Sequence, residues 1–131
     1  MAPQIDLAEA LGATEDASVE RLTLYIPSRD RDGVEFDATP WIEEALRLLS
    51  GIGGGATAMP PAEGAWLDPE SGALVREKVV LAYTFLDPDR FAERLPDLRR
   101  FLHRLGRETR QGEVVCDFDG VFYKITDYDG I

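Results

Sequence analysis

Two closely spaced aspartates, Asp117 and Asp119, form the pattern with the clearest chemical potential. They end an apolar run and precede Gly120.

This pattern resembles the opening motif of the haloacid-dehalogenase-type phosphatases. The resemblance implies that the first carboxylate would accept a phosphoryl group while the second acts as a general acid beside a magnesium ion. That chemistry needs a large α/β domain after the motif, whereas eleven residues follow Gly120 and they indicate another strand. Because Asp-Gly between two β-rich runs is the strongest signal for a two-residue hairpin turn, we predict a hairpin.

Four further features that often carry chemistry are not predicted to form a site here. The glycine-rich segment 51–55 leaves a predicted helix and enters a strand, the reverse of a phosphate-binding loop, so it predicts a helix cap and a connection. The single Cys116 alternates with apolar strand residues and is expected to be a buried thiol. His103, the only histidine, lies off the apolar stripe of its helix and is expected at the surface. Segment 127–130 lacks the glutamate of a calcium loop. No metal site, cofactor or catalytic group is predicted.

A dispersed set of polar and aromatic residues is the candidate ligand site. An arginine beside a glutamate and a tryptophan can hold a small carboxylate or a polar ring. The alternative is a cross-strand salt bridge with a packing tryptophan. The candidate residues are Tyr25, Trp66, Arg76, Glu77, Glu108 and Gln111.

The charge distribution limits the classes of partner. A net charge of −11 argues against direct binding of nucleic acid, because phosphate backbones need a basic surface. Residues 90–110 nevertheless hold seven arginines against three acids. This segment could attract an acidic protein partner, or it could simply be a solvated helix face. The candidate partner-binding residues are Arg99, Arg100, Arg104 and Arg107.

The hydrophobic periodicity predicts a single α+β domain over residues 20–131, after a flexible tail over 1–19 in which 5–11 could form a short helix. Strands are expected at 21–26, 56–59, near 65–66, at 74–86 and in the closing hairpin 113–118 with 121–126. Helices are expected at 40–50 and from Pro88 to Gly106, with a kink or break at Pro96. The order β-α-β-β-α-β with an extra C-terminal hairpin strand indicates a ferredoxin-like antiparallel sheet with both helices on one face.

The long strand is apolar on both faces, with Val79 and Leu81 on one and Val80 and Ala82 on the other. Its second face therefore needs a cover, which favours a homodimer or a tightly bound partner. The N-terminus carries no export signal and no apolar run is long enough to cross a bilayer, so a cytoplasmic location without membrane contact is expected.

Residues 21–86 resemble an uncharacterised bacterial family of small α+β proteins, known only as a domain of unknown function. The resemblance is carried by short motifs: 21–25, Trp41, 54–57, 64–66, and Gly72 followed by 74–77. Many members of that family look exported, which this sequence does not, and the second half of the chain departs from the pattern. The resemblance implies the fold and supplies no activity.

Two functional hypotheses follow from the sequence. The leading one is a non-catalytic acidic protein-binding module, such as an accessory subunit, an antitoxin or an immunity protein. It rests on the few catalytic groups, the acidic charge and the segregated arginines, so the chain is interpreted as leaning away from an enzyme. The alternative is a small-ligand-binding or enzymatic pocket at a homodimer interface.

Overall fold

A computed structural model of the chain describes residues 4–14 and 20–130. The helices are α1 Leu7–Leu11, α2 Thr39–Gly53 and α3 Pro88–Glu108. The strands are β1 Arg21–Pro27, β2 Thr57–Ala58, β3 Ala62–Leu67, β4 Leu74–Phe85, β5 Val114–Phe118 and β6 Val121–Ile125.

One antiparallel sheet contains all six strands, in the order β2-β4-β1-β5-β6, with β3 pairing with the same edge of β4 as β2. The first strand along the chain, β1, is therefore central: Leu24 pairs with Ala82 of β4 on one side and with Cys116 of β5 on the other. This arrangement confirms the predicted ferredoxin-like α+β fold with its additional C-terminal hairpin strand.

The core lies between the sheet and the two long helices. Alternation in β1 turns Leu22, Leu24 and Ile26 toward the helices, and all three are almost completely buried. Both helices present apolar side chains to this face, because their apolar residues recur at helical spacing. The buried helix residues are Ala45, Leu49 and Ile52 from α2, and Leu98, Phe101, Leu102 and Leu105 from α3.

Both long helices end later in the chain than the sequence predicts. The α2 helix continues past Gly51 to Gly53, and Gly54 caps it in the left-handed conformation with a φ of 87°. The α3 helix continues through Pro96 and past Gly106 to Glu108. The predicted stop at Gly106 is therefore wrong, and of the predicted kink or break at Pro96 the break is wrong. At Gly106 the helix instead needs a residue without a side chain, because the Tyr128 ring packs directly against it.

The two long helices pack on one face of the sheet, and we call the opposite face the open face. It is largely apolar and aromatic, and several of its side chains are about half exposed. Its apolar members include Tyr25, Trp66, Val79, Leu81, Tyr83, Phe85 and Phe122.

The predicted short helix near the N-terminus is confirmed as α1, with Asp6 as its N-cap and Gly12 as its left-handed C-cap. It buries none of its own residues. Of the predicted tail 1–19, residues 1–3 and 15–19 lie outside the described part of the chain. Among the residues that are described, no helix combines the length and the apolar character that crossing a membrane requires.

Candidate functional site

The Asp117–Gly120 segment forms the predicted hairpin turn. Strands β5 and β6 pair in register on either side of it, with Phe118 opposite Val121. A carboxylate oxygen of Asp117 accepts the N–H of Gly120 at 2.9 Å, and Asp119 and Gly120 both have positive φ. This backbone conformation is the one that a two-residue turn between twisted strands requires. The aspartates shape a turn at the rim of the open face.

A notch around Glu77 is the most distinctive chemical feature of the open face. Glu77 lies on β4 directly opposite Gly64 of β3, and the next pair on this face is Trp66 with Val75. Because Gly64 has no side chain, it leaves space beside the Glu77 carboxylate. A methyl group added at Gly64 would meet no atom closer than 3.7 Å. We call the surface formed by Gly64, Trp66 and Glu77 the Glu77 notch.

The Glu77 carboxylate is set in an apolar, half-buried environment. Burial raises its pKa, and the positive charge of Arg29 offsets part of that effect. The loop that carries Arg29 is tied to β4 next to Glu77, since the Ser28 hydroxyl donates to the Lys78 carbonyl at 2.6 Å. A carboxylate with a raised pKa beside an exposed indole can bind a cation or exchange a proton with a ligand.

Of the six predicted ligand-site residues, the structure brings Glu77 and Trp66 together. Trp66 is 53 % exposed, so its ring is available to a ligand. Tyr25 lies on the same face, but it pairs with Leu81, four residues from Glu77 along β4, and its ring packs edge-on against Phe122 at 5.9 Å. Tyr25 therefore lies outside the notch, roughly 13 Å from Glu77 along the strand direction.

The other three predicted residues lie outside the notch. Arg76 points to the opposite face of the sheet and forms a salt bridge with Glu63 at 2.9 Å, the cross-strand pair that was the structural alternative. Glu108 pairs with Arg104 at the end of α3. Gln111 donates to the Arg29 carbonyl at 2.8 Å, so it supports the loop beside Glu77 without reaching the carboxylate.

Two residues of this region were missed by the sequence reasoning. Gly64 creates the space, and Arg29 supplies the positive charge beside Glu77. The signal for Gly64 was present, because a glycine inside a strand often marks close approach of another group. Arg29 belongs to a charged loop, and nothing in its local sequence indicates which way its side chain points.

All four arginines predicted to bind a partner form contacts within the chain. Arg99 makes a bidentate pair with Asp129 at 2.7 and 2.9 Å, and Arg107 donates to the Asp129 carbonyl at 2.6 Å. Arg100 pairs with Asp97, and Arg104 pairs with Glu44 and lies over the Trp41 ring. Binding of a partner at these residues stays a prediction.

The prediction of a surface His103 is wrong, since the residue is only 7 % exposed. Its Nδ1 accepts the backbone N–H of Asp129 at 2.7 Å, and the Tyr128 ring packs edge-on against it. The segment after β6 therefore covers the polar side of α3. Cys116, by contrast, is buried as predicted, and burial raises the pKa of its thiol.

We expect Asp129→Asn to lower the thermal midpoint at pH 7 by at most about 4 °C, the scale of one exposed ion pair. The hydrogen bond from Arg99 holds the pKa of Asp129 below its ordinary value of 3.8. The stability from this pair is therefore present above pH 3.8 and is lost as the pH falls through the lower folded-state pKa. The difference between the variant and the wild type should shrink in acid.

Thermal melts from pH 7 down to pH 3 measure this difference. Asp127→Asn is the matched control, because it removes the same charge from an exposed carboxylate nearby. Equal melting curves for Asp129→Asn and Asp127→Asn at pH 7 would show that the Arg99–Asp129 pair contributes nothing to stability.

Two shallow depressions lie on the described surface of the chain. The first, of about 230 Å³, lies at the rim of the open face and is lined by Arg21, Phe85, Asp117, Asp119 and Gly120. The second, of about 250 Å³, lies beside Trp41 and Glu108 on the helical side. Both fall below the range of roughly 300–1,000 Å³ that is usual for small-molecule pockets, and neither is enclosed.

Comparison with known proteins identifies the fold by structure alone. No protein-family model matches the chain, and no curated protein matches it. Among solved structures, a phage SAM lyase in complex with S-methyl-5′-thioadenosine superposes with a TM-score of 0.60 at 16 % identity, covering 87 % of this chain and 95 % of that one. The apo state of a phage SAM lyase superposes with a TM-score of 0.59 at 15 % identity, covering 87 % and 93 %.

The interpretation as a non-catalytic protein-binding module is corrected by these superpositions. The solved chains that share this fold over nearly their whole length belong to an enzyme. That interpretation took the scarcity of recognisable catalytic residues as its main support. The non-catalytic interpretation is therefore withdrawn in favour of its alternative, a small-molecule site.

Proposed function

We propose that this chain forms a small-molecule site, enzymatic in character, on the open face of its sheet, completed where two copies meet. The observation that carries the proposal is Glu77, a half-buried carboxylate with a raised pKa on an exposed apolar and aromatic face. Burying a carboxylate is unfavourable unless a partner compensates it, and such groups concentrate at functional sites.

The ligand class that fits the Glu77 notch is an adenosine-containing sulfonium or thioether. A sulfonium cation is attracted both to a carboxylate and to the face of an aromatic ring, and Glu77 and Trp66 offer these together. A purine ring can stack on the exposed indole. The ligand of the structurally similar phage SAM lyase, S-methyl-5′-thioadenosine, belongs to this class.

A second copy of this chain is the cover that we propose for the open face. Aromatic side chains on that face, among them Phe85 and Phe122, are about half exposed, and exposed apolar side chains that lie together are typical of interaction surfaces. The end of the face around the Glu77 notch carries both charges, Arg29 and Glu77. Such a surface is self-complementary in a two-fold arrangement, and the contact would enclose the shallow notch.

Binding and turnover measurements with two variants test the proposal. The wild type is mixed with S-methyl-5′-thioadenosine in a calorimeter, and separately with S-adenosylmethionine while release of the thioadenosine is followed by chromatography. We expect binding and turnover in the wild type, and a loss of at least about 100-fold in turnover for Glu77→Gln. Glu63→Gln is the matched control, because Glu63 lies on the neighbouring strand and points to the opposite face.

Two further measurements separate the parts of the proposal. Gly64→Ala should keep the fold, since the new methyl group has room, but it should weaken ligand binding by narrowing the notch. Light scattering should show an assembly in the wild type, and Leu81→Lys at the middle of the open face should dissociate it. Wild-type protein that binds neither compound would overturn the site. Wild-type protein that binds as a monomer would overturn its placement between two copies.

A further inference from the structure

The depression at the rim of the open face, here the Arg21 depression, has a chemistry that the Glu77 notch does not use. It combines one guanidinium with the carboxylates of Asp117 and Asp119, beside the apolar side of Phe85. Arg21 and Phe85 are a cross-strand pair, and Asp117 lies on the same face of β5. One cation and two anions therefore line a single concave surface at the start of β1.

The charged groups of the Arg21 depression form no close ion pair with one another among the described residues. Within residues 4–14 and 20–130, no carboxylate oxygen lies within 4.0 Å of the Arg21 guanidinium, which rests instead 5.3 Å from the centre of the Tyr83 ring. One carboxylate oxygen of Asp117 accepts a hydrogen bond from the Gly120 N–H. The backbone N–H of Asp119 donates to the Arg21 carbonyl at 2.9 Å, which fixes the hairpin turn against the beginning of β1.

We infer that the Arg21 depression binds the zwitterionic head of an α-amino acid. Arg21 would take the carboxylate, for which a guanidinium is the preferred partner, while Asp117 and Asp119 would take the ammonium group. The depression, of about 230 Å³, can hold the small polar head of such a molecule. The apolar side of Phe85 can contact the side chain of that amino acid.

The Arg21 depression and the Glu77 notch are separate sites on one chain. Phe85 and Glu77 lie eight residues apart on the same strand, which is about 26 Å. A small molecule bound to one chain cannot span that distance. Amino-acid binding at Arg21 therefore does not rest on the proposed function, and the two can fail independently.

Two sources could supply the zwitterion: a free amino acid, or the amino-acid end of a larger ligand. Amide chemical shifts of the Glu77→Gln variant, which should not consume the ligand, are followed during separate titrations with L-methionine, S-adenosylmethionine and S-methyl-5′-thioadenosine. We expect L-methionine and S-adenosylmethionine to shift the amides of residues 117–120, and the thioadenosine, which has no amino-acid group, to leave them unchanged. Shifts with S-adenosylmethionine alone would assign the site to the end of a larger ligand.

Variants and truncated ligands test whether the Arg21 depression recognises both the carboxylate and the ammonium group of the amino acid. Arg21→Gln and Asp117→Asn should each weaken binding of L-methionine tenfold or more, whereas Arg76→Gln, which removes an exposed arginine elsewhere on the sheet, should not. Ligands that lack only the carboxylate or only the ammonium group should bind at least tenfold more weakly. No shift at 117–120 with either amino-acid ligand, or equal binding by Arg21→Gln, would overturn the assignment.

Discussion

Replacing Gly53 with alanine is expected to lower the free energy of unfolding by about 1–3 kcal/mol, the usual cost of forcing atoms into a packed region. Gly53 is the last residue of α2, where the helix passes over β4. A Cβ atom there would collide with the Thr84 hydroxyl and with the Phe85 carbonyl. The carbonyl belongs to the backbone of the longest strand, so it cannot turn aside as a side chain could.

Gly51 provides a matched control two residues earlier in the same helix. A Cβ atom at Gly51 would approach only the flexible end of the Arg94 side chain, at 3.6 Å. Alanine is favoured over glycine inside a helix, so Gly51→Ala should raise the free energy of unfolding by up to about 1 kcal/mol. Urea denaturation of both variants measures the contrast. Equal effects of the two substitutions would mean that α2 and β4 do not approach as closely as described.

Truncating Leu24 to alanine is expected to have the larger effect, a loss of about 2–5 kcal/mol. Leu24 is fully buried at the centre of the sheet and faces both long helices. Removing its side chain leaves a cavity whose walls belong to several different elements, so the surroundings cannot collapse easily. A domain of this size is stabilised by only about 5–15 kcal/mol, so the variant should lose a large fraction of its stability.

Leu67→Ala is the control for Leu24→Ala, since it makes the same chemical change at a leucine that is 67 % exposed on β3. Its effect should stay within about 0.5 kcal/mol. Chemical denaturation with the slope of the transition recorded for each variant distinguishes lost packing from a changed unfolded state. A Leu24→Ala protein as stable as Leu67→Ala would contradict the central position of β1.

The sheet could be predicted from sequence because its signals are local. Alternation over 22–26 and 79–85, and the Asp119–Gly120 turn, each specify a strand or a hairpin from neighbouring residues. The helix ends could not be predicted as well. Gly106 suggests a helix stop, yet its role is to accept the Tyr128 ring, a neighbour from another part of the chain. His103 is buried for the same reason.

The candidate site was predicted in part. Trp66 and Glu77 were both identified, and they share one face of the sheet. Arg76 was grouped with them although adjacent strand residues point to opposite faces, a rule that separates Arg76 from Glu77 by their consecutive positions alone. The contribution of Arg29 depends on how its loop folds back on β4. Local sequence does not encode that placement.

The central position of β1 has a consequence for how the chain folds. The β3–β4 and β5–β6 hairpins join strands that are close in sequence, so each can form soon after collapse begins. Both edges of strand β1 pair with strands that lie far along the chain, β4 and β5. Closing the long loops between them costs conformational entropy before the contacts that compensate it have formed. During synthesis β1 is also made before both of its neighbours. The apolar residues of β1 therefore stay without both of their strand partners until almost the entire domain has been translated.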